Sequence, residues 1–257
     1  MPPPVPPQRY PEIDILRTLA IVMMIVYHVA FDLHSFHAWN IEVTSGWWLL
    51  LGRATASLFI GLTGVSFMLS REKMLRRHTS MKTMAKRWLG RALTIFACAM
   101  LITVLTYVFD PETYVRFGVL HLIAIGVLLM PLFSRLGSWN IFLGAMLIAL
   151  GVWISGSVAD TPWLLPFGVI PHRFTTLDYF PLFPWFGVTL VGAGLCSLLY
   201  LKDSMLKRFW NRERLLIDTV YRRSKMLRGF TVPGKYSLWI YMLHQPVLMA
   251  ILALLLP

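Results

Sequence analysis

Apolar runs of about 20 residues recur along this chain, and a run of that length matches the roughly 30 Å hydrocarbon core of a bilayer. About seven are legible, near 13–32, 47–69, 88–108, 117–133, 139–156, 180–201 and 236–256. In hydrocarbon, backbone polar groups must be satisfied internally, so runs of this kind are helices. The fold class that follows is all-α: a polytopic membrane helix bundle of about seven transmembrane helices. With 57% hydrophobic residues and a mean hydropathy of +0.64, the expectation is a single integral membrane domain over 1–257 with no soluble domain attached. The segment 160–187 carries five prolines and several aromatics, so an irregular external stretch is expected there rather than a long helix.

Charge sets the orientation. The net charge is +12, but its placement does not suit nucleic acid: of 24 Lys and Arg residues, eight lie in 71–91 and ten in 202–235. The stretches 33–46, 109–116 and 157–179 together hold only Arg116 and Arg173. Basic residues gather on the cytoplasmic side of short loops. The N-terminus, 71–91, Arg135 and 202–235 are therefore expected in the cytoplasm, and the alternate loops and the C-terminus outside. Both basic connections are expected to lie against anionic head groups, and 202–234 has the mix of apolar and charged residues of a helix lying on the membrane surface. Trp47, Trp48, Trp163 and Trp185 near the outer boundary and Trp88 near the inner one fit an aromatic belt. The lead "MPPPVPPQ" has no basic n-region, so the first span is expected to be uncleaved. Cys98 and Cys196 fall inside spans and read as small hydrophobes.

The first span poses the chemical question. "RTLAIVMMIVYHVAFD", residues 17–32, carries Arg17, His28 and Asp32 within an apolar run. At about 100° per residue, the eleven steps from Arg17 to His28 make three turns plus about 20°, and the four to Asp32 one turn plus about 40°. With Asp14, these residues form one stripe, interleaved with Ile21 and Ile25. Ionisable groups within spans face a bundle interior or a wet cavity and mark a functional path. A carboxylate one turn from an imidazole fixes its tautomer and raises its basicity, as a general base requires.

Other polar residues join the candidate set. Arg53 lies about two turns into the second span, His121 in "FGVLHLIAIG", Asp178 in "TTLDYFPLFPWFG" and His244 in "YSLWIYMLHQPVL". Together they suggest a polar cavity that holds substrate. His34 and His37 follow the first span, but no Cys or Glu completes a ligand set with them, so no metal is expected. Arg17, Arg87, Arg91 and Lys235 fall near the inner boundary, where they suit the phosphates of an anionic co-substrate.

These residues carry a resemblance. "YPEIDILRTLAIVMMIVYHVAFDL", "LFIGLTGVSFMLS", "FGVLHLIAI", "TLDYFPLFPWFGVTLVG" and "GKYSLWIYMLHQPVL", in that order, resemble the membrane domain of the heparan-alpha-glucosaminide N-acetyltransferase family in its short prokaryotic form, over about residues 9–250. The Arg17 to His28 spacing also resembles the wider membrane acyltransferases that O-acylate surface polysaccharides. The resemblance implies an integral protein of a prokaryotic plasma membrane. Acetyl-CoA from the cytoplasm would donate an acetyl group to an amino sugar or glycan acceptor on the far side, with no metal. The family's histidine on the loop after the first span matches His37, and where this chain has His28 the animal enzyme has asparagine. Either His28 or His37, with Asp32, is then the catalytic base, acting by direct transfer or through an acetyl-histidine.

Two other readings stay open. O-acylation of a cell-surface polysaccharide would give an ester where N-acetylation gives an amide. In a proton-coupled transporter, His28, Asp32, His121 and His244 would form a relay, but no repeated halves are evident. Uptake driven by a pH gradient without acetyl-CoA consumption would mark the transporter. The sequence leaves a homodimer open.

Overall fold

A computed structural model describes residues 10–37, 39–201 and 205–256. The described residues form helices α1 (Pro11–His37), α2 (Gly46–Arg76), α3 (Met81–Phe109), α4 (Val119–Phe133), α5 (Asn140–Ile154), α6 (Leu182–Cys196), α7 (Met205–Arg223), α8 (Lys225–Phe230), α9 (Val232–Lys235) and α10 (Ser237–Leu255). A 3₁₀ turn, Gly137–Trp139, leads into α5, and a π turn, Ser197–Leu201, extends α6. Among the described residues six segments are long and apolar enough to cross a membrane: α1, α2, α3, α10, Gly137–Ile154 and Leu182–Leu201. The remaining expected span is α4, a shorter apolar helix of 15 residues, about 22 Å long. The protein is an integral membrane helix bundle.

The basic stretch 71–91, expected as a polar connection, is mostly helix. α2 runs to Arg76 and α3 starts at Met81, so the helices continue past their apolar parts. Charge favours this: Arg76 pairs with Glu72 one turn earlier at 2.8 Å. The turn between them closes with His78 at φ 50° and with Ser80, whose hydroxyl accepts from the Thr83 N–H to start α3.

Packing divides into two compact units, one of described residues up to Leu58 and from Phe209 onward, the other Phe59–Arg208. In the first, α1 packs against α9 and α10. The Gly234 N–H donates to Thr18 Oγ1 at 2.9 Å, and Thr18 Oγ1 donates to the Asp14 carbonyl at 3.0 Å. α1 turns Leu16, Leu19, Val22 and Val26 outward and buries Ala20, Ile21, Met24 and Asp32. That division matches the stripe read from the sequence.

In the second unit α5 lies on α6 and α3 on α4. Glycines set the closest approaches: a Cβ on Gly144 would sit 2.5 Å from the Gly187 carbonyl, and one on Gly187 would sit 2.6 Å from that of Gly144. Without a hydrophobic force between helices in lipid, small residues that let backbones touch supply the packing. The Pro-rich segment is irregular, as expected. It holds a 3₁₀ turn, Pro162–Phe167, and is laced to the loop before α4 by Leu177 N–H to Thr113 O (2.7 Å) and Phe180 N–H to Phe117 O (2.9 Å). Trp47 and Trp163 are exposed, as a belt requires, but Trp88 is buried against Phe67, ring centroids 5.2 Å apart, and does not belong to it.

Candidate active site

In the first unit, α1 and α10 bring His28, Asp32, His244 and Gln245 together. His28 Nδ1 lies 2.8 Å from the Met24 carbonyl, and His244 Nδ1 lies 2.6 Å from that of Tyr241. A carbonyl has no hydrogen to give, so each Nδ1 carries the proton and each neutral ring keeps its lone pair on Nε2. The rings meet edge to face, centroids 4.6 Å apart. Gln245 donates through Nε2 to Asp32 Oδ1 at 2.6 Å, and Asp32 is wholly buried. Pro246 follows Gln245 inside α10, where it removes the N–H that the Met242 carbonyl would otherwise accept.

The groups left over share one property. Asp32 Oδ2, Gln245 Oε1 and His244 Nε2 are buried without a hydrogen-bond partner, and the tautomer of His28 leaves its lone pair on Nε2. All of these are acceptors. Buried polar atoms are normally paired, and an unpaired one costs about 1–3 kcal/mol. A ligand that fits this cluster brings hydrogen-bond donors, and beside a buried carboxylate a cationic donor fits best.

In its first turns α1 holds Arg17, whose Nη1 bonds Asp14 Oδ1 at 3.0 Å. The bond from Gly234 to Thr18 sets the exposed Lys235 beside this turn, so two of the expected cations meet here. His37 ends α1, half-buried, nine residues and about 180° of helical phase after His28. Arg53 is exposed on α2.

The second unit has the opposite chemistry. Phe67, Ser70, Lys73 and Met74 from α2, Arg77 from the turn after it, and Arg87, Trp88 and Arg91 from α3 line a cavity of about 290 Å³. Its ionisable residues are all cations, and the buried Trp88 indole N–H has no acceptor. A cavity rich in donors and floored by two aromatic rings suits phosphate and a flat ring system. Arg87 and Arg91 were expected in such a role. Lys73, Arg77 and Trp88 were missed, though Arg87 and Arg91 are an i,i+4 pair on one side of α3, and Lys73 and Arg77 stand at the same spacing across the end of α2.

His121 and Asp178 both work in this unit at the start of α4, where they cap it. The Gly118 N–H donates to His121 Nδ1 at 3.2 Å, which leaves the proton on Nε2, facing Thr103 Oγ1 at 3.5 Å. Phe117 stacks on the ring. Asp178 Oδ2 accepts from the Val119 N–H at 3.1 Å, and burial pushes its carboxyl up to about 6. Two free N–H groups at the start of α4 are thereby satisfied. Gln245 was also missed, because only the fold sets it against Asp32.

Neither the curated proteins nor the solved structures give a match to this chain. The catalytic-domain profile described as "Heparan-alpha-glucosaminide N-acetyltransferase, catalytic" matches residues 9–246 and so takes in α1 to α9 and much of α10. With an apolar helix bundle and a polar stripe on its leading helix, the chain belongs to the heparan-alpha-glucosaminide N-acetyltransferase family of transmembrane acetyltransferases.

Proposed function

We propose that this protein takes the acetyl group of cytoplasmic acetyl-CoA and transfers it to the amine of a glucosamine-like sugar or glycan on the extracytoplasmic side. The unpaired acceptor atoms of Asp32, His244 and Gln245, beside the His28 ring, carry the proposal. A primary ammonium has three N–H donors and a positive charge. Asp32 Oδ2 and the two Nε2 atoms can take all three, and Gln245 Oε1 is left for a sugar hydroxyl.

The chemistry follows from the tautomers. One imidazole takes a proton from the ammonium and frees the nitrogen lone pair. The nitrogen attacks the thioester carbonyl and forms the C–N bond. His28 Nε2 accepts the second proton from nitrogen, the C–S bond breaks, the thiolate leaves with the proton returned from the His28 imidazolium, and the first proton passes from the other imidazolium, that of His244, to solvent. Asp32, held by Gln245, stabilises the imidazolium. A well-placed general base contributes about 10²–10⁴-fold. Arg87, Arg91, Lys73 and Arg77 suit the phosphates of acetyl-CoA and Trp88 its adenine, and Arg17 and Lys235 add positive charge at the start of α1.

The test uses purified full-length protein, acetyl-CoA and glucosamine, with the product analysed by mass spectrometry. An amide product is expected, formed about 10²–10⁴-fold more slowly by His28→Ala. An ester product, or full activity in the His28→Ala, His37→Ala double variant, would end the assignment.

A further inference from the structure

Helix α7 has a pattern that acetyl transfer does not use. At about 100° per residue, Lys207, Trp210, Arg214, Ile217, Asp218 and Tyr221 fall within an arc of about 100°, and all are half-buried. This inner face is fastened to the start of α1: Arg214 lies 3.2 Å from Glu12 Oε1, and its guanidinium sits over the Tyr10 ring at 4.5 Å. Met205, Phe209, Leu216 and Val220 fall on the opposite side within about 60° of one another and are exposed. The exposed Arg208 borders this apolar stripe and the exposed Arg223 ends it. α8 continues the pattern, with Met226 and Phe230 exposed beside Lys225 and Arg228.

The nearest surface that can cover the stripe is the bilayer itself. Only residues 202–204 separate α7 from the spanning segment Leu182–Leu201, at most about 14 Å of extended chain. An apolar stripe edged by arginines matches the acyl boundary below a layer of anionic head groups. We propose that α7 and α8 lie in the interface of an anionic leaflet. The stripe enters the acyl boundary, and Arg208, Arg223, Lys225 and Arg228 meet lipid phosphates. This inference stands apart from the acetyl-transfer reading.

The experiment places an NBD fluorophore on Leu216→Cys, or separately on Val220→Cys, in the full chain with Cys98→Ala and Cys196→Ala. The protein is assembled in nanodiscs of phosphatidylcholine alone or mixed with phosphatidylglycerol. With phosphatidylglycerol the emission is expected to shift to shorter wavelength and to be quenched by doxyl-labelled lipid. Adding Arg208→Gln and Arg223→Gln, both exposed and remote from the packed face, is expected to remove that response to phosphatidylglycerol. Water-like, unquenched emission in both lipids would overturn the proposal. So would a blue shift that doxyl lipid cannot quench, because protein would then cover the stripe. Equal quenching in both lipids would overturn the role of the cations.

Discussion

The carbonyls of their own helices accept from Nδ1–H of His28 and His244, which leaves each ring's lone pair on Nε2, as the proposed general base requires. His28→Asn keeps a polar side chain but no titratable lone pair. It is expected to lose kcat about as fully as His28→Ala, which steady-state kinetics would show. Asp32→Asn is expected to raise KM for the amine more than it lowers kcat, because the charge that favours an ammonium is gone. Away from the spans, Asp178 supplies a pH signature. Its folded carboxyl titrates near 6, above the usual 3.8, so between those values the native state binds more protons than the unfolded one. Stability from this group is full below about pH 4 and is lost as pH rises through about 6. Thermal unfolding of the full protein should show that decline, and Asp178→Asn, which still accepts from Val119, should flatten it. At this scale the sequence tells half the story. The stripe of Asp14, Arg17, His28 and Asp32 was legible because helical phase is local arithmetic. The bond from Gln245 to Asp32 joins residues 213 positions apart, which no periodicity encodes. Nor does a sequence show that His121 spends Nδ1 on the start of α4 and turns Nε2 to Thr103 of α3.

Helix positions were readable to within a few residues for the apolar segments, since bilayer thickness fixes their length. Their ends were less so, because α2 and α3 carry helix into charged sequence that a hydropathy pattern assigns to a loop. Which helices touch is decided by small residues whose partners lie far away in the chain. α2 and α6 illustrate it: a Cβ on Gly192 would sit 2.1 Å from the Gly61 carbonyl. Gly192→Ala is therefore expected to push the two helices apart and to cost about 1–3 kcal/mol, read as a lower thermal midpoint in detergent. Gly90, exposed in α3, meets nothing within 4 Å of such a Cβ. Gly90→Ala is expected to raise the midpoint, with a gain of up to about 1 kcal/mol from helix propensity. The cavity between α2 and α3 belongs to this scale too. Arg87→Gln and Arg91→Gln are each expected to weaken acetyl-CoA binding about tenfold or more, by loss of a charge-assisted bond, in a titration of the purified protein.

For the whole molecule, the two sites separate by the sign of their hydrogen-bonding groups. One unit holds a cavity of cations and an indole N–H that suits a polyanionic donor. The other holds buried acceptors that suit an ammonium. The family profile runs across both. In the proposed reaction an acetyl group, not the whole acetyl-CoA, passes from one side of the membrane to the other. The direct measurement uses sealed proteoliposomes with glucosamine inside and acetyl-labelled acetyl-CoA outside, sampling molecules whose basic connections face outward. The account predicts amide-bound label accumulating in the lumen while CoA stays outside, with a rate about 10²–10⁴-fold lower for His28→Ala. Label that enters as intact acetyl-CoA, or that accumulates undiminished when His28 and His37 are both alanine, would contradict it.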